Sequence, residues 1–239
     1  MSPITGGSLR DAQRARGDTF DNPACPNKAT VANCGPELAA GMYNYVRQHC
    51  AACAQVIVGD FGSGASAHPG QTFSRGQKLG DYLRVYYRNL HDAKDVTVWG
   101  LHPYGDVEYA QKLWWERRHG KGGPGVPAPS GTRVYSFAAA LKQLNPRNST
   151  KIHIWLDEIS SFNGTGQGNH HYRYFTRASQ AYGAQWLFDT LVRDVPAHSP
   201  VVTNVYYLNF SGPGSTNAEL TKPPATSYPV YDVFKAANN

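Results

Sequence analysis

Short apolar segments alternate with helix-like segments along most of this chain. Val- and Ile-rich runs bounded by Gly, Asp or Pro predict strands, and apolar residues that recur every three to four positions predict helices. The predicted strands cover residues 55–60, 96–101, 151–158 and 201–208. The predicted helices cover residues 36–48, 79–90, 107–118, 134–144, 174–192 and 230–236. Because such alternation is typical of parallel sheets with right-handed crossovers, the sequence predicts an α/β fold.

Two of the predicted strands end in side chains that can do chemistry. The apolar run at 152–156 stops abruptly at Asp157 and Glu158. Strict alternation places Glu158 on the apolar face of the strand, where an ionisable group is costly unless it has a partner or a task, and Asp157 on the opposite face with a structural role. A second strand continues to His102 and Tyr104, which are two residues apart and are therefore expected on one face.

These strand ends resemble those of the clan A glycoside hydrolases, which are retaining enzymes on (β/α)8 barrels. In that clan the sixth strand often ends in His-x-Tyr, and the seventh commonly reads Trp-x-x-Glu with the glutamate as nucleophile. The resemblance is nearest to the β-xylosidase/α-iduronidase group and spans residues 36–237. The matching residues are His102-Pro103-Tyr104 and Trp155-Leu156-Asp157-Glu158.

The resemblance implies a glycosidase active site at this end of the sheet. Glu158 would be the nucleophile, Tyr104 would offer its hydroxyl to that carboxylate, and His102 would bond the carboxylate or a sugar hydroxyl. A β-linked glycan would be cleaved by double displacement through a covalent glycosyl–Glu158 intermediate. There is a plainer alternative for each of the two aromatic residues. His102 would be a core histidine whose ring nitrogens are hydrogen-bonded, and Tyr104 would be a packing residue. No cofactor and no metal are implied.

The chain departs from the clan's pattern in one important respect. The clan's fourth strand normally ends in Asn-Glu, which supplies the acid/base, and no Asn-Glu pair occurs here. We therefore expect residues 36–239 to form the C-terminal half of the barrel, strands five to eight, after an irregular segment at 1–35. The partner would be a missing N-terminal half-barrel, and the N-terminus is expected to be truncated. The remaining glutamates fall outside predicted strand ends: Glu37, Glu108, Glu116 and Glu219.

Three further residues are candidates for contacting sugar. Asp60 ends the first predicted strand, Tyr207 lies near the end of the last one, and Trp114 lies in the extra helix after the second. A turn beside glycines is the default interpretation for Asp60, and packing is the default for Trp114. His170-His171 has no third ligand at a recognisable spacing and so predicts no metal site.

The four cysteines form two local pairs. Cys25 and Cys34 bracket a loop rich in Pro and Asn, whereas Cys50 and Cys53 form Cys-Ala-Ala-Cys at the end of a predicted helix. We expect disulfides Cys25–Cys34 and Cys50–Cys53, in a secreted or extracellular protein. A zinc site with four thiolate ligands would use the same residues and stays open.

Charge and hydropathy narrow the possible partners. The net charge of +6 comes from scattered basic residues, apart from a local group at Arg117, Arg118 and Lys121, and predicts an ordinary solvated surface. No apolar stretch approaches the ~20 residues of a membrane span, and Met1 opens a polar segment rather than a signal peptide. We expect an oligo- or polysaccharide substrate, with no nucleic acid and no membrane. Two alternatives remain: a non-catalytic carbohydrate-binding degenerate barrel, and a zinc-stapled basic nucleic-acid-binding protein.

Overall fold

The structure is a computed structural model that describes residues 35–53, 55–62, 79–121, 125, 128–162, 174–194, 201–207, 221–222, 226–227 and 229–237. It shows a mixed α/β fold around a four-stranded parallel sheet, hydrogen-bonded in the order β1-β2-β3-β4. The strands are β1 (Val58–Gly62), β2 (Val98–His102), β3 (His153–Ile159) and β4 (Val201–Tyr207). The predicted alternation of parallel strands and helices is confirmed.

Helices connect the strands. In the part of the chain that the structure describes, these are α1 (Gly35–His49), α2 (Leu79–Arg88), α3 (Tyr104–Arg118), α4 (Arg133–Leu144), α5 (Arg177–Trp186) and α6 (Pro229–Ala237). A π-helical segment, Leu187–Asp194, continues α5, and a short antiparallel pair joins Thr221–Lys222 to Thr226–Ser227. Consecutive strands lie side by side, and parallel strands of this kind are normally joined by right-handed crossovers. None of the helices described is long and apolar enough to cross a membrane.

The helix-covered face of the sheet carries the hydrophobic core. Trp99 of β2 and Ile154 and Leu156 of β3 are fully buried. The Trp99 ring lies 6.1 Å from the ring of Tyr86 in α2 and 6.3 Å from that of Phe137 in α4. Each such side chain stabilises the fold by roughly 1.5–3 kcal/mol relative to its exposed state. This packing anchors the two strands whose ends carry the candidate site.

The opposite side of the sheet, which we call the Gly100 face, is more polar and less buried. The register pairs Val98 with His153 and Gly100 with Trp155. His153 and Trp155 are only half-buried. Tyr206 of β4 is 49% exposed, and its ring centroid lies 5.8 Å from that of Trp155. The two faces of the sheet therefore differ in character as strand alternation predicts.

One predicted boundary is corrected at the end of β2. The strand ends at His102, and Tyr104 is the first residue of α3 instead of a strand residue. Pro103, with φ −88°, explains the change. Proline has no N–H for the sheet ladder, but its restricted φ suits the entry to a helix. Tyr104 therefore reaches the end of the sheet from a helix start.

Amide side chains tie loops together at the amino-terminal end of the sheet. Asn44 of α1 donates to the carbonyl oxygen of Asn89 at 2.8 Å and accepts from the backbone N–H of His91 at 3.1 Å. Asn145, which follows α4, donates to the carbonyl oxygen of Lys94 at 3.3 Å. These bonds join the segments that precede β2 and β3 without involving an ionisable side chain.

A disulfide joins Cys50 to Cys53, with an S–S distance of 2.00 Å and a Cα–Cα distance of 5.3 Å. Cys50 lies just beyond the end of α1, so the pair is closed across a turn and not within the helix. A sulfur in a disulfide is not a thiolate ligand, so this pair argues against the zinc alternative. The predicted disulfide Cys25–Cys34 and nearly all of the irregular segment 1–35 lie outside the described residues.

Candidate functional site

The carboxylate of Glu158, near the end of β3, is contacted by groups from β2 and α3. The hydroxyl of Tyr104 donates a hydrogen bond to Oε1 of Glu158. Nδ1 of His102 lies 3.7 Å from Oε2 of the same carboxylate. The side chain of Glu158 is 40% exposed, whereas that of His102 is 14% exposed. The structure thus brings the three predicted catalytic residues together and leaves the carboxylate accessible to solvent.

Aromatic contacts hold the Tyr104 ring in this position. Its centroid lies 5.7 Å from the ring of Phe162 and 6.2 Å from the ring of His102, which it meets edge-on. Phe162 is 5% exposed and follows β3 closely in the chain. The turn after β3 therefore supports the tyrosine that contacts the glutamate of β3.

Polar side chains from three elements fix that turn. Gln111 of α3 is fully buried and bonds the Phe162 backbone with both ends of its amide, at 2.7 Å to the carbonyl oxygen and 3.0 Å from the N–H. Gln180 of α5 donates to the carbonyl oxygen of Ser161 at 3.3 Å. The hydroxyl of Tyr207 donates to the same oxygen at 3.1 Å and accepts from the Ser161 N–H at 3.2 Å. A fully bonded buried network of this kind is rigid.

Tyr207 of β4 contacts the turn after β3 and helix α6. Its ring meets Phe234 of α6 edge-on at 4.3 Å, and its hydroxyl is bonded to Ser161. Burial raises the pKa of Tyr207, and the bonds with Ser161 oppose that rise. This placement favours a role in holding the turn over the predicted contact with sugar. Its neighbour Tyr206, on the Gly100 face, is the more exposed tyrosine of β4.

The end of β3 does not alternate strictly. The register between β3 and β4 shifts between Leu156 and Ile159, which marks a β-bulge. Bulges re-aim side chains beside functional sites. Here Oδ1 of Asp157 lies 3.5 Å from Nε2 of His102, while Glu158 lies near the other ring nitrogen. Asp157 thus lies on the Gly100 face, as alternation predicts, and the imidazole of His102 lies between the consecutive carboxylates of one strand.

Gly100 of β2 makes room for Asp157. A Cβ added at Gly100 would collide with Oδ2 of Asp157 and would lie 2.9 Å from Cγ2 of Ile57. The carboxylate thus lies directly beside the bare Cα of the neighbouring strand. His102, two residues further along β2, is on the same face as Gly100. A residue larger than glycine would displace the carboxylate from His102.

Two further residues predicted to contact sugar are Asp60 of β1 and Trp114 of α3. The register between β1 and β2 shifts at Asp60, directly after Gly59, whose φ is 93°. The role predicted for Asp60 in binding sugar stays a prediction. The Trp114 ring stacks on Tyr182 of α5 at 5.4 Å, and the guanidinium of Arg118 lies 4.8 Å from its centroid. Trp114 of α3 therefore packs against α5, which agrees with the default interpretation of this residue as a packing residue.

Carboxyl groups with raised pKa values lie on the first turns of α3. Asp106 accepts hydrogen bonds from the backbone N–H groups of Arg133 and Val134, at the start of α4. Burial raises the pKa of Asp106 to about 6 against the effect of these bonds. Burial likewise raises the pKa of Glu108, one helical turn after Tyr104, to about 7, opposed by the charge of Arg133. No local sequence pattern marks this property of Glu108, because its burial arises from tertiary packing.

No protein-family model, curated protein or solved structure matches this chain. The fold is of the mixed α/β class, with a four-stranded parallel sheet. No group of three or more His, Cys, Asp or Glu able to hold a metal ion occurs among the residues that the structure covers. The contacts of Glu158, Tyr104, His102 and Asp157 are therefore the features from which a function can be inferred.

Proposed function

We propose that this protein is a retaining O-glycoside hydrolase, or the C-terminal half of one, that acts on a β-linked glycan. The hydrogen bond from the Tyr104 hydroxyl to Glu158 carries the proposal. A glycosidase nucleophile must be ionised and oriented when the sugar arrives. A donor on one carboxylate oxygen fixes the orientation of the carboxylate and leaves the other oxygen for attack. Glu158 is therefore assigned as the nucleophile, with Tyr104 and His102 as its immediate neighbours in the site.

The proposed fold assignment is strands five to eight of a (β/α)8 barrel. In such a barrel consecutive strands are neighbours, and the helices form an outer ring. The sequential order of the four parallel strands supports this assignment. The Gly100 face would then line the barrel interior, and the end of β3 would lie at the catalytic rim. A missing N-terminal half-barrel would supply the other strands.

Catalysis would proceed in two steps. Oε2 of Glu158 would attack the anomeric carbon as the glycosidic oxygen leaves with a proton, and water would then release the sugar from the ester. The acid/base must lie about 5–5.5 Å from the nucleophile. In the half-barrel assignment this carboxyl belongs to the missing strands. The chain by itself would therefore perform the first step only on a substrate whose leaving group needs no proton.

Labelling by an activated fluoro-sugar tests the nucleophile. Aryl β-2-fluoroglycosides with a good leaving group relieve the need for general acid catalysis, which is typically worth roughly 10²–10⁴-fold. We expect a slow gain of one sugar mass that peptide mapping places on Glu158, and no gain in Glu158→Gln. The matched control is Glu116→Gln on α3, whose carboxylate pairs with Lys112 at 3.9 Å. Labelling that is unchanged in Glu158→Gln would remove the assignment.

Co-expression tests the half-barrel. Candidate N-terminal half-barrels that end their fourth strand in Asn-Glu should restore hydrolysis of a natural glycan. Glu158→Gln in the restored enzyme should then abolish it. Hydrolysis of a natural glycan by residues 1–239 without a partner would show that the acid/base lies within this chain. The disulfide at Cys50–Cys53 is consistent with the proposed extracellular location, because disulfides persist in oxidising compartments.

A second candidate function is sugar binding without cleavage. The rings of Trp155 and Tyr206 lie side by side on the Gly100 face, 5.8 Å apart, and Tyr206 is 49% exposed. Aromatic faces of this kind offer large apolar contact area to a sugar ring. Calorimetric binding of an oligosaccharide together with no labelling of Glu158 would favour this candidate. Tyr206→Ala should then weaken binding, whereas Tyr231→Ala, at a residue of α6 that is 41% exposed, should not.

A further inference from the structure

We propose that the carboxyl-terminal end of helix α3 binds an anionic polysaccharide, a glycan chain that carries carboxylate or sulfate groups. The surface consists of Arg117, Arg118 and Lys121, which are all exposed and which we call the basic end of α3. Residues 112–121 hold four Lys and Arg and one Glu, and their net charge of +3 is half of the +6 of the whole chain. Positive charge concentrated in this way attracts a polyanion.

Aromatic rings and the backbone hold these cations in place. Cζ of Arg118 lies 4.8 Å from the centroid of the Trp114 ring, and Nζ of Lys121 lies 5.5 Å from that of Trp115. The backbone N–H of Lys121 also donates to the carbonyl oxygen of Glu116 at 3.0 Å, so this residue stays against the helix. Attraction to a ring does not neutralise a cation, and a side chain that is already positioned loses less freedom when a ligand binds.

Two carboxylates in the neighbourhood are paired with other cations. Oε1 of Glu116 lies 3.9 Å from Nζ of Lys112, one turn earlier in α3. In the segment that continues α5, Oδ1 of Asp189 lies 3.2 Å from a guanidinium nitrogen of Arg193. These charges are balanced locally, so the excess positive charge stays at the basic end of α3. The helix dipole favours cations in the last turn of a helix, but it does not account for Lys121, which lies beyond the end of α3.

Helix α3 places this surface at the same end of the sheet as Glu158. Its first residue, Tyr104, bonds Glu158, and Trp115 meets the ring of Tyr174, just before α5, edge-on at 5.1 Å. The helix therefore follows the connection between β3 and α5, which starts at the carboxyl-terminal end of the sheet. At a rise of 1.5 Å per residue, Arg118 lies about 21 Å along the helix axis from Tyr104. A ligand that reaches both ends of α3 is a chain of sugars and not a single sugar.

Nucleic acid is the other polyanion that a basic surface with aromatic rings can bind, and the packing of the rings argues against it. Single strands are bound by bases that stack on aromatic side chains. Here the Trp114 ring stacks on Tyr182 at 5.4 Å, and the Trp115 ring stacks on His119 at 3.9 Å. The rings thus support the cations and the helix, and the surface recognises charge. A role in binding substrate rests on the proposed function, whereas the binding of an anionic glycan does not.

Calorimetry with β-linked oligosaccharides of one length tests the surface at low ionic strength. The probes are an oligomer of β-mannuronate, which carries carboxylates, a sulfated cello-oligosaccharide, and the same cello-oligosaccharide without sulfate. We expect a charged oligomer to bind roughly tenfold more tightly than the neutral one, and added salt to weaken it by screening exposed charges. The tighter of the two charged oligomers identifies the group that is recognised.

The same titrations can overturn the proposal. An oligothymidylate of equal charge should bind more weakly than the charged glycan. Tighter binding of the oligothymidylate would assign the surface to nucleic acid instead. Binding of the neutral oligomer as tight as that of the charged ones, or no binding of either charged oligomer, would also contradict the proposal.

A charge-removing variant locates the binding site. The combined substitutions Arg117→Gln, Arg118→Gln and Lys121→Gln should weaken binding of the charged oligomer roughly tenfold or more, because they remove the proposed contacts. Since these side chains are exposed, we expect the variant to fold. Lys121→Gln alone serves if it does not fold, with a smaller loss of roughly threefold.

A matched control separates a local surface from net charge. It removes the same three charges from exposed residues at the amino-terminal end of the sheet, by Lys142→Gln, Arg147→Gln and Lys151→Gln. We expect its affinity to stay within roughly twofold of the unmodified protein, because exposed charges far from the ligand are screened. Equal losses in the two variants would show that net charge alone attracts the glycan and would overturn the proposal.

Labelling of Glu158 in the unmodified protein keeps this proposal apart from the proposed function. The activated fluoro-sugar reports on Glu158, whereas calorimetry with the charged oligomers reports on the basic end of α3. If the charged oligomer binds as expected and Glu158 is not labelled, the glycosidase proposal fails and the glycan-binding surface stands. If Glu158 is labelled and neither charged oligomer binds, the surface fails alone.

Discussion

The two ends of the parallel sheet are held together by different chemistry. At the amino-terminal end, Asn44 and Asn145 bond the backbone of loops through neutral amides. At the carboxyl-terminal end, Tyr104, His102 and Glu158 contact one another through groups that gain or lose protons. Amide–backbone bonds stabilise without responding to pH, whereas contacts between ionisable groups respond to it. In parallel α/β barrels, residues at the amino-terminal end of the sheet typically serve stability, whereas residues at the carboxyl-terminal end typically serve function.

The largest expected effect that separates the two ends is the pH dependence from Glu108. Burial raises its pKa from 4.5 to about 7, so the native state binds this proton more tightly than the unfolded state does. Its stabilising contribution is complete below pH 4.5 and is lost as the pH rises through 7, by about 3 kcal/mol in total. Glu108→Gln should remove this part of the fall in the free energy of unfolding.

Urea denaturation at several pH values measures that change. The control is Asn89→Ala, which removes an exposed side chain that carries no charge and should leave the pH dependence as it is. Burial also raises the pKa of Asp106 to about 6, so the free energy of unfolding falls further as the pH rises. Glu108→Gln does not remove this second contribution. A curve for Glu108→Gln that parallels the unmodified protein would show that this carboxyl is hydrated in solution.

The amino-terminal end should respond to mutation without responding to pH. Asn44→Ala leaves the Asn89 carbonyl and the His91 N–H without their partner, which should lower the free energy of unfolding by about 2 kcal/mol. The loss should be equal at pH 5 and pH 8, and labelling of Glu158 should not change. Asn89→Ala is the matched control, because that side chain is exposed and bonds only within its own helix, to Val85. A pH-dependent loss in Asn44→Ala would break the distinction between the two ends.

The smallest of these effects is expected for Tyr104→Phe. The ring keeps its contact with Phe162, and only the hydroxyl that bonds Glu158 is lost. Labelling by the activated fluoro-sugar should slow roughly tenfold, which corresponds to ~1.4 kcal/mol. Tyr231→Phe on α6 should leave the rate unchanged. Faster labelling in Tyr104→Phe would mean that the hydroxyl restrains the carboxylate instead of preparing it.

The fold could be predicted from sequence where the signal is local. Alternation predicts Ile154 and Leu156 as core residues, and both are fully buried. This prediction succeeds because the pattern within a single strand is enough to place them on its apolar face. Tyr104 was placed in a strand because the apolar run was extended past Pro103, whose missing N–H ends the ladder. That error has a local cause, and proline itself was the available signal.

The candidate site could be predicted only in part. His102 and Glu158 stand at strand ends, which parallel topology brings to one edge, so their proximity follows from sequence. Alternation placed Asp157 on the face opposite Leu156, where it lies beside Gly100, but its contact with His102 of the neighbouring strand was not predicted. Gln111 bonds a residue 51 positions away, and no local pattern marks such a partner. The burial that shifts Glu108 is likewise a property of packed elements and not of its neighbours in the chain.

The bare Cα of Gly100 has a consequence for anyone who redesigns this protein. Positions 100 and 157 compete for the same volume, so they are not independent variables in a mutant library. A library that varies position 100 alone, with Asp157 kept, will therefore favour glycine there and will miss solutions that exist for the pair. Gly100→Ala combined with Asp157→Ser exchanges a carboxylate for a methyl group and tests whether the pair can be redesigned as a unit. Transfer of the His102 site to another scaffold likewise requires both strands, glycine and bulge included.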